Sequence, residues 1–215
     1  MQLMFDLDGT LTDSRLGITR CIAHALAEVD AAVPPLDDLT RYVGPPLPAS
    51  FASLLRTANA ERIENAIRAY RRRFEDVGIF ENCLYAGIAD MLSAFSAAGH
   101  DMCVVTAKPR FYAVQILEQF RIDRFFRGVF GPDLSSRDYS KAALIRDACA
   151  SVRKGAARVF MIGDRAEDVH GARSNGVGAV AVTWGYGGRE ELEAAQPDRL
   201  VASGEELVEC IQAIG

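Results

Sequence analysis

Four aspartates, a threonine and two lysines carry the chemistry open to this sequence. Asp6 and Asp8 stand two positions apart just before Gly9; Thr106, Lys108 and Lys141 follow; Asp164 has Asp168 four residues on. Carboxylates gathered in one place repel one another and hold their protons unless a cation shares the site. An oxygen-only set of this kind suits magnesium, which takes one or two carboxylates, keeps several waters and accepts phosphate oxygens. Lysines and a hydroxyl opposite such a metal suit a phosphate dianion, which carboxylates alone would repel. Of two aspartates at one strand end, one can act as nucleophile and the other as acid and base.

For these residues to meet, the chain must deliver them to one edge. Residues 2–7 form an apolar run that meets Asp8-Gly9-Thr10, a buried strand entering a tight turn. Further strands are expected at 101–106, 127–131, 158–162, 177–183 and 199–201, each separated from the next by a helical pattern. Apolar strands alternating with helices imply parallel strands, right-handed crossovers and helices on both faces. In such sheets ligands bind at the carboxyl ends of the strands, which is where the seven residues fall. Pro109 reads as the first residue of the helix after Lys108, and the backbone N–H groups there favour phosphate.

Residues 14 to 84 read differently. They are helical almost throughout, broken at Pro34-Pro35 and at Gly44-Pro45-Pro46-Leu47-Pro48, with no strand-like run. Ser14 is placed to cap the first helix, whose Ile18, Cys21, Ile22, Ala25 and Leu26 share one face. The fold class is therefore α/β: a doubly wound, Rossmann-like parallel-sheet core of residues 1–13 and 86–215, with an all-helical insertion of residues 14–85.

Composition narrows the function. The 215 residues are 49% hydrophobic and 25% charged, as in ordinary folded proteins, and the net charge of −5 argues against a nucleic-acid or anionic-membrane surface. The five cysteines are scattered without metal-ligand spacing and read as reduced thiols of a cytoplasmic protein. No signal peptide or membrane span is expected. Arginine carries most of the positive charge; of three lysines, Lys108, Lys141 and Lys154, two fall at strand-edge positions.

These residues resemble the haloacid dehalogenase-like superfamily of hydrolases. Asp6-Leu7-Asp8-Gly9-Thr10-Leu11-Thr12-Asp13-Ser14 is similar to its first motif, Thr106 to the second, Lys141 to the third and Gly163-Asp164-Arg165-Ala166-Glu167-Asp168 to the fourth. The resemblance implies a magnesium-dependent phosphatase acting on a small phosphorylated metabolite through an aspartyl-phosphate. It makes Asp6 the nucleophile and Asp8 the acid and base, and it makes Thr106 and Lys141 the holders of the phosphoryl group. Asp6, Asp8 (through its carbonyl), Asp164 and Asp168 become the magnesium set, with either Asp164 or Asp168 as the direct ligand. Gly9, Thr10, Ala107 and Lys108 are expected to line the phosphate pocket, with the Lys108 side chain facing the helical insertion, the cap.

Tyr42-Val43-Gly44-Pro45-Pro46-Leu47 and Trp184-Gly185-Tyr186-Gly187 look like the phosphoglycolate phosphatase and 5′-nucleotidase branch. Gly44 then belongs to a loop that selects substrate, besides forming a turn between helices. Arg41 reads as solvated, Arg71-Arg72-Arg73 as a solvated face, and Trp184 as core. Carbon–halogen hydrolysis is disfavoured by Asp8, and Schiff-base phosphonate cleavage by the absence of lysine from the insertion. A sugar-phosphate mutase and a non-catalytic binding protein are the alternatives. A monomer or homodimer is expected.

Overall fold

Runs of Val, Ile, Met and Phe without polar alternation bury both faces of a strand. The computed structural model, which describes residues 1–136, 139–151 and 158–214, places each such run inside a sheet. Lys154 lies outside the described residues. The strands are β1 (Gln2–Phe5), β2 (Thr12–Asp13), β3 (Cys83–Leu84), β4 (Asp101–Val105), β5 (Val129–Phe130), β6 (Val159–Gly163), β7 (Gly178–Val182) and β8 (Arg199–Val201). Six of them form one sheet in the order β5-β4-β1-β6-β7-β8. Every described pairing in it is parallel, and Phe5 lies opposite Val104 on one side and Ile162 on the other.

Chain order runs outward from β1 through β4 to β5, then returns to the other side of β1 for β6, β7 and β8. The direction of winding therefore reverses at β1. A crevice opens at such a point beyond the carboxyl ends of the strands.

The crossovers are α5 (Ile88–Ala97), α6 (Arg110–Gln119), α7 (Lys141–Ala150), α8 (Ala166–Ser174) and α9 (Arg189–Ala195), with α10 (Gly204–Ile214) closing the fold. Met4 packs with Val105, Ile145, Met161, Val169 and Leu192 in one buried cluster. Phe5 meets the rings of Phe95 and Phe126, both at 6.1 Å between centroids.

The chain divides into two units, residues 1–12 with 84–215, and residues 13–83. The second holds α1 (Arg15–Glu28), α2 (Leu36–Leu39), α3 (Leu47–Leu55) and α4 (Ala60–Asp76). Its core joins Ile18, Ile22 and Leu26 of α1 to Ile67, Tyr70 and Phe74 of α4. Tyr70 stacks on Phe74 at 5.7 Å and meets Phe51 edge-on. Glu81 ties the unit together by accepting from Arg20 and Arg73 at 2.7 and 2.8 Å, and the Arg73 contact holds its carboxyl below the usual range.

Four local expectations change. Ser14 occupies the N-cap position of α1, but its side chain does not cap the first turn. Pro109 is the residue before α6, not its first. The run at 127–131 narrows to the two residues of β5. The region thought free of strands is bounded by a two-stranded ribbon of β2 and β3, too short to leave a period in the sequence. Among the described residues, no helix is long and apolar enough to cross a membrane.

Phe95 is 1% exposed. Phe95→Ala is expected to destabilise the protein by about 3–5 kcal/mol through lost burial and a residual cavity. Urea unfolding followed by circular dichroism measures it.

Candidate active site

Asp6 extends β1 by one residue, its N–H still donating to Ile162 O of β6 at 2.9 Å. The chain then turns sharply. The N–H groups of Thr10, Leu11 and Thr12 converge on Leu7 O at 3.3, 2.9 and 3.0 Å, and Gly9 takes φ +88. That conformation disfavours a side chain, and a Cβ at Gly9 would in any case lie 2.2 Å from Asp164 Oδ2.

The other residues arrive from neighbouring strands. Thr106 follows the last residue of β4, its N–H donating to Phe130 O at 2.9 Å. Lys141 opens α7, whose first turn is capped when Ser140 Oγ accepts from Ala143 N. Asp164 follows Gly163, the last residue of β6. Asp168 lies in the first turn of α8 and accepts from Arg165 N at 3.1 Å.

Two lysines divide the carboxylates between them. Lys141 Nζ lies 3.0 Å from Asp6 Oδ1, 2.7 Å from Asp168 Oδ1 and 3.1 Å from Val105 O. An ammonium has three protons, and three acceptors surround this one. Burial disfavours its charge, but Asp168 and Asp6 outweigh that, and Lys141 is held above the ordinary lysine value. Lys108 Nζ pairs with Asp8 Oδ2 at 2.9 Å. Its N–H donates to Thr106 Oγ1 at 3.2 Å, so that hydroxyl accepts here and keeps its own proton to give.

Among the described residues, Asp164 pairs with no lysine. Its Oδ1 accepts from Thr10 Oγ1 at 3.3 Å and its Oδ2 from Tyr186 N at 2.7 Å. It is fully buried. Burial first, then the charges of Asp6 and Asp168, push its carboxyl up to about 8. Burial likewise raises Asp168, to about 6, with Lys141 pulling the other way.

One oxygen from each of Asp6, Asp164 and Asp168 lies within 4.8 Å of the others. All donors are hard oxygens, and the two lysines leave the four carboxylates two charges short of neutral. Both features fit a magnesium ion. A further oxygen, Asp8 Oδ1, is buried without a hydrogen-bond partner among the described residues.

Among the expected residues, Asp6, Asp164 and Asp168 come together, with Lys141 beside Asp6 and Asp168, Lys108 beside Asp8, and Thr10 on Asp164. Ala107 is half-buried in the turn before α6. Gly44 belongs to the second unit, exposed and at φ +103. The Lys108 side chain reaches Asp8, which leaves β1 through the turn at Gly9. Arg41 lies over the Tyr42 ring at 5.1 Å. Sequence reasoning had Trp184 as core or as packing beneath the site, but did not foresee the bonds of the loop after β7: Tyr186 gives its N–H to Asp164, and Trp184 Nε1 donates to Thr10 O at 3.0 Å. The two glycines flanking Tyr186 were the available signal.

A family model described as haloacid dehalogenase-like hydrolase matches residues 3–182. The chain is 40% identical over 200 residues to a 5′-nucleotidase of Pseudomonas aeruginosa, covering 93% of this chain and 90% of that one. It is 38% identical over 185 residues to the tyrosine-protein kinase PtkA of Mycobacterium tuberculosis, covering 86% of this chain and 62% of that protein. The crystal structure of a predicted phosphatase from Clostridium acetobutylicum superposes with a TM-score of 0.91 at 38% identity, over 99% of this chain and 98% of that one.

The raised carboxyls make metal-free stability depend on pH. An aspartate whose folded pKa exceeds its unfolded value of 3.8 holds more protons folded than unfolded, so stability falls as pH rises. In chelator, the melting temperature is expected to drop from pH 5 to pH 9, with the Asp164 contribution spent above about 8. Asp164→Asn flattens much of that slope in thermal denaturation measured across the range.

Proposed function

Since the chain belongs to the haloacid dehalogenase-like hydrolases and is a hydrolase of phosphoric monoesters, we propose that it works with magnesium through an aspartyl-phosphate on Asp6. The observation that carries this reading is the trio of Asp6, Asp164 and Asp168, buried together beside Lys141. Its substrate is a small phosphorylated metabolite of the phosphoglycolate or nucleoside 5′-monophosphate type.

In the first step Asp6 attacks phosphorus, and the bond from phosphorus to the leaving oxygen breaks. Asp8 gives its proton to that oxygen, and the alcohol departs. In the second step a water molecule attacks the same phosphorus and loses a proton to Asp8. The bond to Asp6 breaks, inorganic phosphate leaves, and both aspartates return to their starting states. Lys141 fixes the Asp6 carboxylate by holding Oδ1, at 3.0 Å. Thr106 donates its hydroxyl proton to an equatorial phosphoryl oxygen. The main chain of Gly9, Thr10 and Ala107, with Lys108, lines the phosphate pocket, and Gly44 belongs to a loop that selects substrate. Asp6, Asp164 and the Asp8 carbonyl would hold the magnesium ion, while Asp168 holds Lys141. When bound, the ion supplies neutralising charge for the nucleophile and the phosphoryl oxygens.

The likeness to a protein named as a tyrosine kinase favours a second reading, in which the phosphoryl group on Asp6 passes to a hydroxyl other than water. A sugar-phosphate mutase is one form of it.

Phosphate release from phosphoglycolate, nucleoside monophosphates, sugar phosphates and an aryl phosphate, with magnesium or with chelator, separates these readings. Magnesium-dependent release is expected. Label appearing in an added alcohol in place of free phosphate selects the second reading. Asp6→Asn abolishes turnover with the fold intact, and Asp8→Asn slows it about 10²–10⁴-fold. Near-normal activity of Asp6→Asn removes the nucleophile assignment.

A further inference from the structure

Asp164 is gripped from two directions, and neither belongs to the motif that contains it. The turn after β1 supplies the Thr10 hydroxyl to Oδ1. The loop after β7 supplies the Tyr186 N–H to Oδ2, at 2.7 Å. The same loop also grips the turn, since Trp184 Nε1 donates to Thr10 O at 3.0 Å. Turn, carboxylate and loop thus form a closed ring of hydrogen bonds.

The loop fits against Asp164 with no spare room. A Cβ on Gly185 would lie 2.4 Å from Asp164 Cβ and 2.3 Å from Gly9 O. One on Gly187 would overlap Asp164 O. Backbone therefore packs directly on backbone and carboxylate, which only glycine allows.

We propose that the loop Trp184–Gly187 is the positioning element for Asp164, and that it sets the affinity with which Asp164 and its fellow ligands hold a divalent cation. It rests on the reading of Asp164 as a metal ligand. A carboxylate already held in one rotamer loses little freedom when it takes a metal. Groups that orient metal ligands by hydrogen bonds typically change affinity by 10–100-fold when removed. Both oxygens of Asp164 accept from protein donors, and each keeps a further lone pair for the cation.

Magnesium binding to the whole protein, measured by calorimetry, tests this. Trp184→Phe keeps an aromatic ring but removes the indole N–H together with the second ring. Gly185→Ala pushes the loop off Asp164. Each is expected to weaken magnesium binding about tenfold or more, with phosphate release recovering toward wild type at saturating magnesium. Melting in chelator checks that the fold is kept. If Gly185→Ala does not fold, Trp184→Phe decides alone. Wild-type affinity in a folded Trp184→Phe protein overturns the proposal. So does a loss of activity that excess magnesium does not restore. Failure of the wild-type protein to bind magnesium overturns the metal reading itself, and the proposal with it.

Discussion

Mutual repulsion among buried carboxylates is the constraint on which this molecule is organised. Asp6, Asp164 and Asp168 are each at least nine-tenths buried, within reach of one another, and two of them resist ionisation strongly. Such a cluster survives folding only with compensation. Lys141 gives part of it by pairing with two of the three, and its own burial is tolerable because three acceptors surround it. Among the described residues, Asp164 accepts from neutral donors, Thr10 and the Tyr186 N–H. The strain is thus concentrated on one residue, Asp164.

The sheet exists to bring these charges together without exposing them. β1 sits at the centre, with β4 and β6 as neighbours, so its carboxyl end is flanked by the ends of both. Asp6 leaves from the first, Thr106 from the second, and Asp164 from the third. Lys141 and Asp168 come from the opening turns of α7 and α8. No residue has to reach far, and the apolar layers beneath stay intact.

Much of this was legible in the residues themselves. An apolar run that ends in a carboxylate marks both a strand and its chemical end, which is why Asp6, Thr106 and Asp164 could be placed. Order along the chain gave the parallel sheet, since alternating strands and helices have few other ways to pack. What stayed hidden were relations set by tertiary geometry. β2 and β3 have two residues each and show no periodicity. The partner of Lys108 depends on a turn a hundred residues earlier. The bond from Tyr186 to Asp164 spans 22 residues, and Gly185 and Gly187 announce only a turn, not what the turn touches.

The ribbon of β2 and β3 gives the core an unusual independence. Both crossings between the two units run through it, at Thr12–Asp13 and Cys83–Leu84. Topologically, residues 13–83 are one long loop that leaves and rejoins the core at the ribbon. The entropy of closing such a loop grows only logarithmically, by about 0.6 kcal/mol for each doubling of length. Lineages can therefore lengthen, shorten or rewrite this segment at little thermodynamic penalty to the sheet.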